Sequence, residues 1–434
     1  MIDSIQFSNF KSYKEAILPL APLTLLIGAN ASGKTNAIEA IRFLTWLSHG
    51  RRLEDILESV RQNDLAIRGT VSSVVYDRAR SRSLSFGCNL DKNSEWRHFN
   101  IQLRMQSESG GMRVENESLR SDYSTVPLYE IKSTADDYSH DVQVAYNNFA
   151  RGGAKPLIGC SNRQAIFTQL DIPSRFANKK SQEQISPVVT ALQHVLKEVI
   201  FLDTNPRAMT DYSFIVDKAL RPDGSNLSST LFDISETQGR KQEILDFIRA
   251  LPEQDIIDIA FLETPRNEVM VQLVESFGNR DTPRDAPLLS DGTLRVLAIA
   301  AALLSAPKGS LVVIEEIDNG VHPSRAQLLL DGILQASKRR NLRVLVTTHN
   351  PALLDTLPKA AIADVVCCYR DPKQGDSRLV RLSTITDYPD LVARGPLGQL
   401  MTQGLIERYL KNQRTATEKV AQSRAWLKEL KSIL

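Results

Sequence analysis

Eight residues, GANASGKT from Gly28 to Thr35, constrain this chain more than any other stretch. They follow an apolar run, Leu23 to Ile27, and precede a segment with helical spacing, Asn36 to Leu47. Strand, glycine-bounded loop and helix, in that order, is the context in which the pattern G-x-x-x-x-G-K-[ST] carries a mechanism. The glycines let the backbone curl until its N–H groups face one point, where a phosphate chain can sit on the helix N-terminus. In that geometry Lys34 reaches the β- and γ-phosphates and the Thr35 hydroxyl binds Mg²⁺. Gly28, Asn30, Ser32 and Gly33 complete the expected cradle for ATP.

At 434 residues the chain is long for one compact domain and predicts about two to three lobes. The formal net charge is +2, so composition gives no global case for nucleic acid. Any DNA contact has to come from a local basic patch, for which Arg51-Arg52, Arg78 to Arg82 and Lys338 to Arg340 are sources. Cys88, Cys160, Cys367 and Cys368 show no C-x-x-C spacing, which argues against a metal site or a disulfide framework and fits a reducing cytosol. The N-terminus has no apolar core of signal-peptide length, and no window approaches a membrane span. The expectation is a soluble, cytoplasmic protein.

The chain divides into four expected blocks. Residues 1–160 hold the phosphate loop and, from Thr70 to about Phe149, short alternating runs that predict an antiparallel meander, with Gly110-Gly111 as a hairpin turn. Residues 161–284 read as a mainly helical lobe. Its clearest helix is ISPVVTALQHVLKEV, with Ile185, Val189, Leu192 and Leu196 on one face. One such helix falls far short of the heptads a long arm requires. Residues 285–390 alternate strand and helix, the rhythm of a parallel sheet with crossover helices. Residues 391–434 read as two further helices, separated near Asn412. The last, from Thr415 to Leu434, either docks on the body of the protein or offers a handle to a partner.

Three more stretches carry chemistry. LVVIEE, Leu311 to Glu316, is an apolar strand ending in paired carboxylates, and ligands of open α/β sheets gather at such carboxyl ends. Phosphoryl transfer wants one carboxylate beside Mg²⁺, a role that suits Glu315. The second, Glu316, orients or deprotonates the attacking water. LVTTHN, Leu345 to Asn350, ends in His349, whose imidazole can donate to the γ-phosphate or hold that water. LLSDGT opens a helix with Ser290, Gly292 and free N–H groups, a second anion site without a lysine. Two phosphate-grasping helix starts and one lysine point to a second site that serves another subunit's nucleotide.

Taken in order, GANASGKT, LLSDGT, LVVIEEID and LVTTHN resemble the ABC-type ATPases of the SMC/RecF superfamily. The opening IQFSNFKSY is similar to that superfamily's N-terminus. The resemblance implies an α/β fold: an ABC-type P-loop head with an antiparallel β subdomain and a helical lobe. The superfamily's long coiled coil has no counterpart, because the region between Walker A and the signature reads as strands and short helices. It implies Walker A at Gly28 to Thr35, the signature loop at Ser290 to Gly292 and the Walker B acid at Glu315. It further makes Glu316 the catalytic glutamate, Asp318 the D-loop residue and His349 the switch histidine. Two heads of a homodimer or higher homo-oligomer would close around two ATP molecules. FLDTNPRAM and DGSNLSSTL resemble segments of a compact bacterial branch, similar to the ATPases of overcoming-lysogenization-defect proteins and of the anti-phage systems PARIS, Gabija and Septu.

Three features depart from the pattern. Walker B carries Glu where Asp is usual, the signature reads SDGT, and the Q-loop has no clear place, with Gln62, Gln164 and Gln169 as candidates. A toprim nuclease would need a D-x-D pair after the core, and Asp387-Tyr388-Pro389-Asp390 has the wrong spacing. The expected function is an ATPase acting as a nucleotide-gated switch or scaffold for a separate effector, a nuclease or toxin, in anti-phage defence. The alternative is a RecF-like DNA-binding repair ATPase; a transporter subunit is the weakest reading.

Overall fold

The structure, a computed structural model, describes residues 1–56, 67–68, 71–79, 82–106, 111–133, 140–249, 256–277, 280–319, 323–385 and 388–411. A six-stranded sheet divides the molecule. Its order is Ile200–Leu202, Leu311–Ile314, Arg343–Thr347, Thr24–Ile27, Val366–Arg370 and Ser377–Arg381, parallel except for the last strand. Leu311–Ile314 and Thr24–Ile27 are buried along their whole length, which is why they read as unbroken apolar runs. Successive side chains point to opposite faces. Leu26, Leu311, Val313 and Leu345 therefore join one core, and Leu25, Ile27, Val312, Ile314, Val344 and Val346 join another.

The first core lies between this sheet and an eight-stranded antiparallel one. The second sheet's order is Tyr13–Pro19, Ile2–Phe10, Ser83–Leu90, Trp96–Met105, Met112–Ser121, Tyr129–Ser133, Asp141–Tyr146 and Leu157–Ser161. The helix Lys34–Ser48 fills the space between them, with Phe43 tilted on Phe86 at 4.7 Å. The expected meander is present, with one exception: within TVSSVVY, Val71–Val74 is a 3-10 turn that leaves a single bridge from Val75 to Phe10. The hairpin position Gly110 lies outside the described residues. Beneath this sheet Glu117 is fully buried, accepting from the Ile166 and Phe167 amides at 2.6 and 2.7 Å and from the Tyr129 hydroxyl at 2.8 Å. Burial outweighs those bonds and pushes its carboxyl up to about 7.

The second core holds the helices Asp291–Ser305 and Pro323–Arg340. Against it packs a third sheet, Ile256–Glu263, Glu268–Phe277 and Arg280–Asp285, with the two-residue strand Ser213–Phe214 at its edge. This corrects the expectation of a mainly helical block at 161–284. The helices Lys179–Lys197, Leu227–Phe232 and Lys241–Arg249 are there, but the block ends in antiparallel strands. The reason is local: EVMVQLV alternates with period two, and Asn267, at φ 59, closes the turn from Thr264 to Glu268.

In the long helix, Asn178 accepts from the Ser181 amide at the N-cap, and Ile185, Val189, Leu192 and Leu196 are buried as their spacing predicts. It has 19 residues, and no longer helix occurs among the described residues. None of these helices is long and apolar enough to cross a membrane. The central sheet draws strands from blocks 1–160, 161–284 and 285–390, so those blocks share their cores. Within 391–434, Leu397–Thr402 and Leu405–Lys411 are two short helices broken at Gly404, where one was expected. Thr415 to Leu434 lies outside the described residues.

Candidate active site

The phosphate loop leaves strand Thr24–Ile27 at Gly28 and enters helix Lys34–Ser48. Two glycines are required by space as well as backbone. A Cβ on Gly28 would stand 2.2 Å from the Cys368 carbonyl oxygen, and one on Gly33, at φ 120, would stand 2.6 Å from Ser377 Oγ. The carbonyls of the loop are held from behind. Tyr13 donates its hydroxyl to the Gly33 oxygen at 3.0 Å, and Ser377 donates to the Ser32 oxygen at 2.6 Å. Ser377 also bonds Ser12 Oγ at 2.8 Å, so the SNFKSY turn serves as a brace for the loop. Gly28 and the buried Ser32 belong to this rear side. Lys34 Nζ donates to the Gly28 and Ala29 oxygens at 2.6 and 3.1 Å. Burial pushes its ammonium below the ordinary lysine range, while Cys368, Glu316 and Asp318 pull it back.

Because the strands ending at Ile27, Ile314 and Thr347 are neighbours, their following residues meet at one sheet edge. A cleft of about 380 Å³ opens there. Asn30, Gly33, Lys34 and Thr35 line one wall; Glu315, Glu316 and His349 line another, and Arg370 closes one side. The Glu315 amide donates to the Leu202 oxygen at 2.8 Å. Its carboxylate accepts from Arg42 Nη2 at 2.6 Å. Burial pushes the Glu315 carboxyl up, opposed by Arg42 and reinforced by the charge of Asp203. Glu316 adopts a left-handed backbone, φ 49, and its amide donates to Thr347 Oγ1 at 2.9 Å. Its Oε2 accepts from Asn319 at 2.6 Å. His349, half exposed, stands 3.9 Å from the buried Asp318 carboxylate, of which Oδ1 has no hydrogen-bond partner among the described residues. Thr35 and Glu315 line the cleft with a hydroxyl and a carboxylate, oxygen donors that fit Mg²⁺.

Ser290 and Gly292 are placed elsewhere. Ser290 caps helix Asp291–Ser305, its Oγ accepting from the Thr293 amide at 3.1 Å, and neither residue lines the cleft. Ser290 is exposed, and Leu288 beside it is 66% exposed. One chain thus gathers Asn30, Lys34, Thr35, Glu315, Glu316 and His349, and leaves exposed Ser290 and half-buried Gly292 outside that cleft. Two Q-loop candidates are also away from the cleft: Gln164 donates to the Gly50 oxygen, and Gln169 bonds the Ser161 backbone at both its N–H and its oxygen. Gln62 lies outside the described residues. The strand beside Glu315 is instead Ile200–Leu202, followed by Asp203 and by Thr204, which accepts from Arg295 of the SDGT-capped helix. Sequence reading also passed over Arg42, although its place seven residues after Thr35 puts both on one helix face.

A family described as "AAA domain, putative AbiEii toxin, Type IV TA system" matches residues 23–355. A Helicobacter pylori protein named ATP/GTP phosphatase is 20% identical over 367 residues, 82% of this chain and 87% of that protein. The DNA replication and repair protein RecF of Streptococcus thermophilus is 39% identical over 72 residues, 16% of this chain and 20% of RecF. RecF of Brucella abortus is 38% identical over 84 residues, 18% and 21% of the two chains. The chain thus spans about a fifth of these RecF proteins. Among solved structures, the SMC head domain from Thermotoga maritima is 14% identical with a TM-score of 0.42, over 88% of this chain and 98% of that one. An Smc head domain from Pyrococcus furiosus is 12% identical with a TM-score of 0.47, over 90% and 99%.

Proposed function

The chain belongs to this AAA-domain family, and from that premise we propose that it is an Mg²⁺-dependent ATPase working as a nucleotide-gated dimerising switch. The observation that carries the reading is the split of the motifs: Lys34, Thr35, Glu315, Glu316 and His349 share one cleft, while exposed Ser290 and half-buried Gly292 lie outside it. In this reading the loop amides at Asn30 and Gly33, with Lys34, bind the phosphates, while Gly28 and Ser32 shape the loop from behind. Thr35 and Glu315 would hold Mg²⁺, which would supply neutralisation of the phosphate charge. Glu316 orients the attacking water and takes its proton as the water oxygen bonds the γ-phosphorus and the bond to the β-phosphate oxygen breaks. His349 steadies the γ-phosphate, and Asp318 steadies His349. The partner copy supplies Ser290 and Gly292, so closure of a homodimer reports that ATP is bound.

The family description names a toxin system. That, with the resemblance to anti-phage ATPases, supports a role in which opening and closing of the head dimer holds or releases a separate effector. The short RecF likeness favours a second reading, a DNA-binding ATPase. ATP-dependent, salt-sensitive binding of duplex DNA would support that reading, and no binding at low salt would remove it.

Glu316→Gln separates binding from turnover. Steady-state hydrolysis should fall about 10²- to 10⁴-fold, as for loss of a general base. ATP affinity should persist, and a dimer should accumulate in sedimentation with ATP. Wild-type turnover in this variant refutes the role of Glu316, and a monomer at saturating ATP refutes the switch.

A further inference from the structure

Glu315 touches the cleft on one side and Arg42 on the other. Arg42 is in the phosphate-loop helix, does not line the cleft, and is 8% exposed; Glu315 is 12% exposed. The guanidinium lies 4.7 Å from the centre of the Phe201 ring, on the strand that pairs with the one preceding Glu315. Three constraints therefore fix the arginine: its helix, the ring and the carboxylate. The acid's backbone is fixed too, since its amide donates to Leu202. Between these anchors the side chain of a glutamate has three free torsions, and the bond from Arg42 Nη2 to Oε1 at 2.6 Å removes that freedom. An aspartate would be one methylene shorter, about 1.5 Å on ordinary bond lengths, and could not keep both the arginine and its reach into the cleft.

We propose that Arg42 is a positioning residue that sets the metal affinity of this site by holding Glu315 Oε1 from behind, and that the unusual glutamate of this Walker B strand is matched to that arginine. The inference rests on the reading of Glu315 as a metal-binding acid. Hydrogen-bonded partners behind a metal-binding carboxylate orient it, and their loss costs about 10- to 100-fold in metal affinity. Lysine is a poor substitute, because a mobile ammonium lacks the planar fork and the stacking on Phe201. Nucleotide affinity without metal does not pass through Glu315 and is left alone.

The test is Mn²⁺ titration, followed by electron paramagnetic resonance, of the full chain saturated with the non-hydrolysable analogue AMP-PNP. AMP-PNP affinity in EDTA is measured in parallel. Arg42→Met should raise half-saturating Mn²⁺ about tenfold or more, Arg42→Lys should recover part of that loss, and Glu315→Asp should behave like Arg42→Met. Affinity in EDTA should stay within about twofold. Arg42→Met leaves a buried carboxylate without its partner and can fail to fold; Arg42→Lys and Glu315→Asp then carry the test. Wild-type or tighter Mn²⁺ binding in the arginine variants that fold, or in Glu315→Asp, overturns the proposal. Glu315→Gln distinguishes its failure from that of the underlying reading: unchanged Mn²⁺ binding in that variant means that Glu315 is not the metal acid at all.

Discussion

Glu117 gives a stability prediction with a definite sign. Its carboxyl moves from an ordinary value of 4.5 to about 7 in the folded chain, and burial is the largest cause. A group whose folded value is raised contributes stability below its unfolded value and loses that contribution as pH rises through the folded one. The window therefore runs from about pH 4.5 to about pH 7. At about 1.4 kcal/mol for each pH unit, the rise from 4.5 to about 7 gives a loss of about 3.5 kcal/mol across it. Glu117→Gln does not titrate, but its amide N–H₂ must face a donor, because both carboxylate oxygens accept in the native fold. The variant should be weaker than wild type at pH 5, and the gap should narrow by about 2.5 kcal/mol between pH 5 and pH 8. Urea unfolding of both proteins across this range measures the gap. Hydrogen exchange at the Ile166 and Phe167 amides reads the same change locally. A gap independent of pH refutes the reasoning, since the three hydrogen bonds would then be holding the carboxylate charged as readily as the unfolded chain does.

Two predictions concern the cleft. Gly28→Ala should abolish nucleotide binding, because its Cβ would stand 2.2 Å from the Cys368 oxygen and the loop and that strand must separate; titration with a fluorescent ATP analogue checks this, and wild-type affinity would show that the cradle tolerates the shift. Thr347→Val removes the oxygen that accepts from the Glu316 amide in its left-handed conformation. It should lower kcat about tenfold with little change in KM, the pattern of an interaction made in the transition state, and a change confined to KM contradicts it.

The phosphate loop is legible because everything it needs is contiguous: a buried strand, two glycines and a helix start within Thr24 to Ser48. The same holds for Leu311 to Glu316, where four apolar residues run into two carboxylates, and for the amphipathic face of Lys179–Lys197. The strands at the end of the 161–284 block are legible too: EVMVQLV alternates with period two, although helices precede it. Cys88, Cys160, Cys367 and Cys368 are free and buried, with no pattern to interpret beyond that.

Other features could not be had from any window. Arg42 and Glu315 are 273 residues apart and meet because the sheet order puts the strand carrying Phe201 beside the one ending at Ile314. Strand order depends on which crossover packs on which face, and no local propensity encodes it. SDGT illustrates the division. The sequence alone determined that Ser290 caps a helix start, because capping is a matter of four adjacent residues. Only the tertiary structure decided that this helix packs on the face of the central sheet opposite the phosphate-loop helix, leaving Ser290 outside its own chain's cleft.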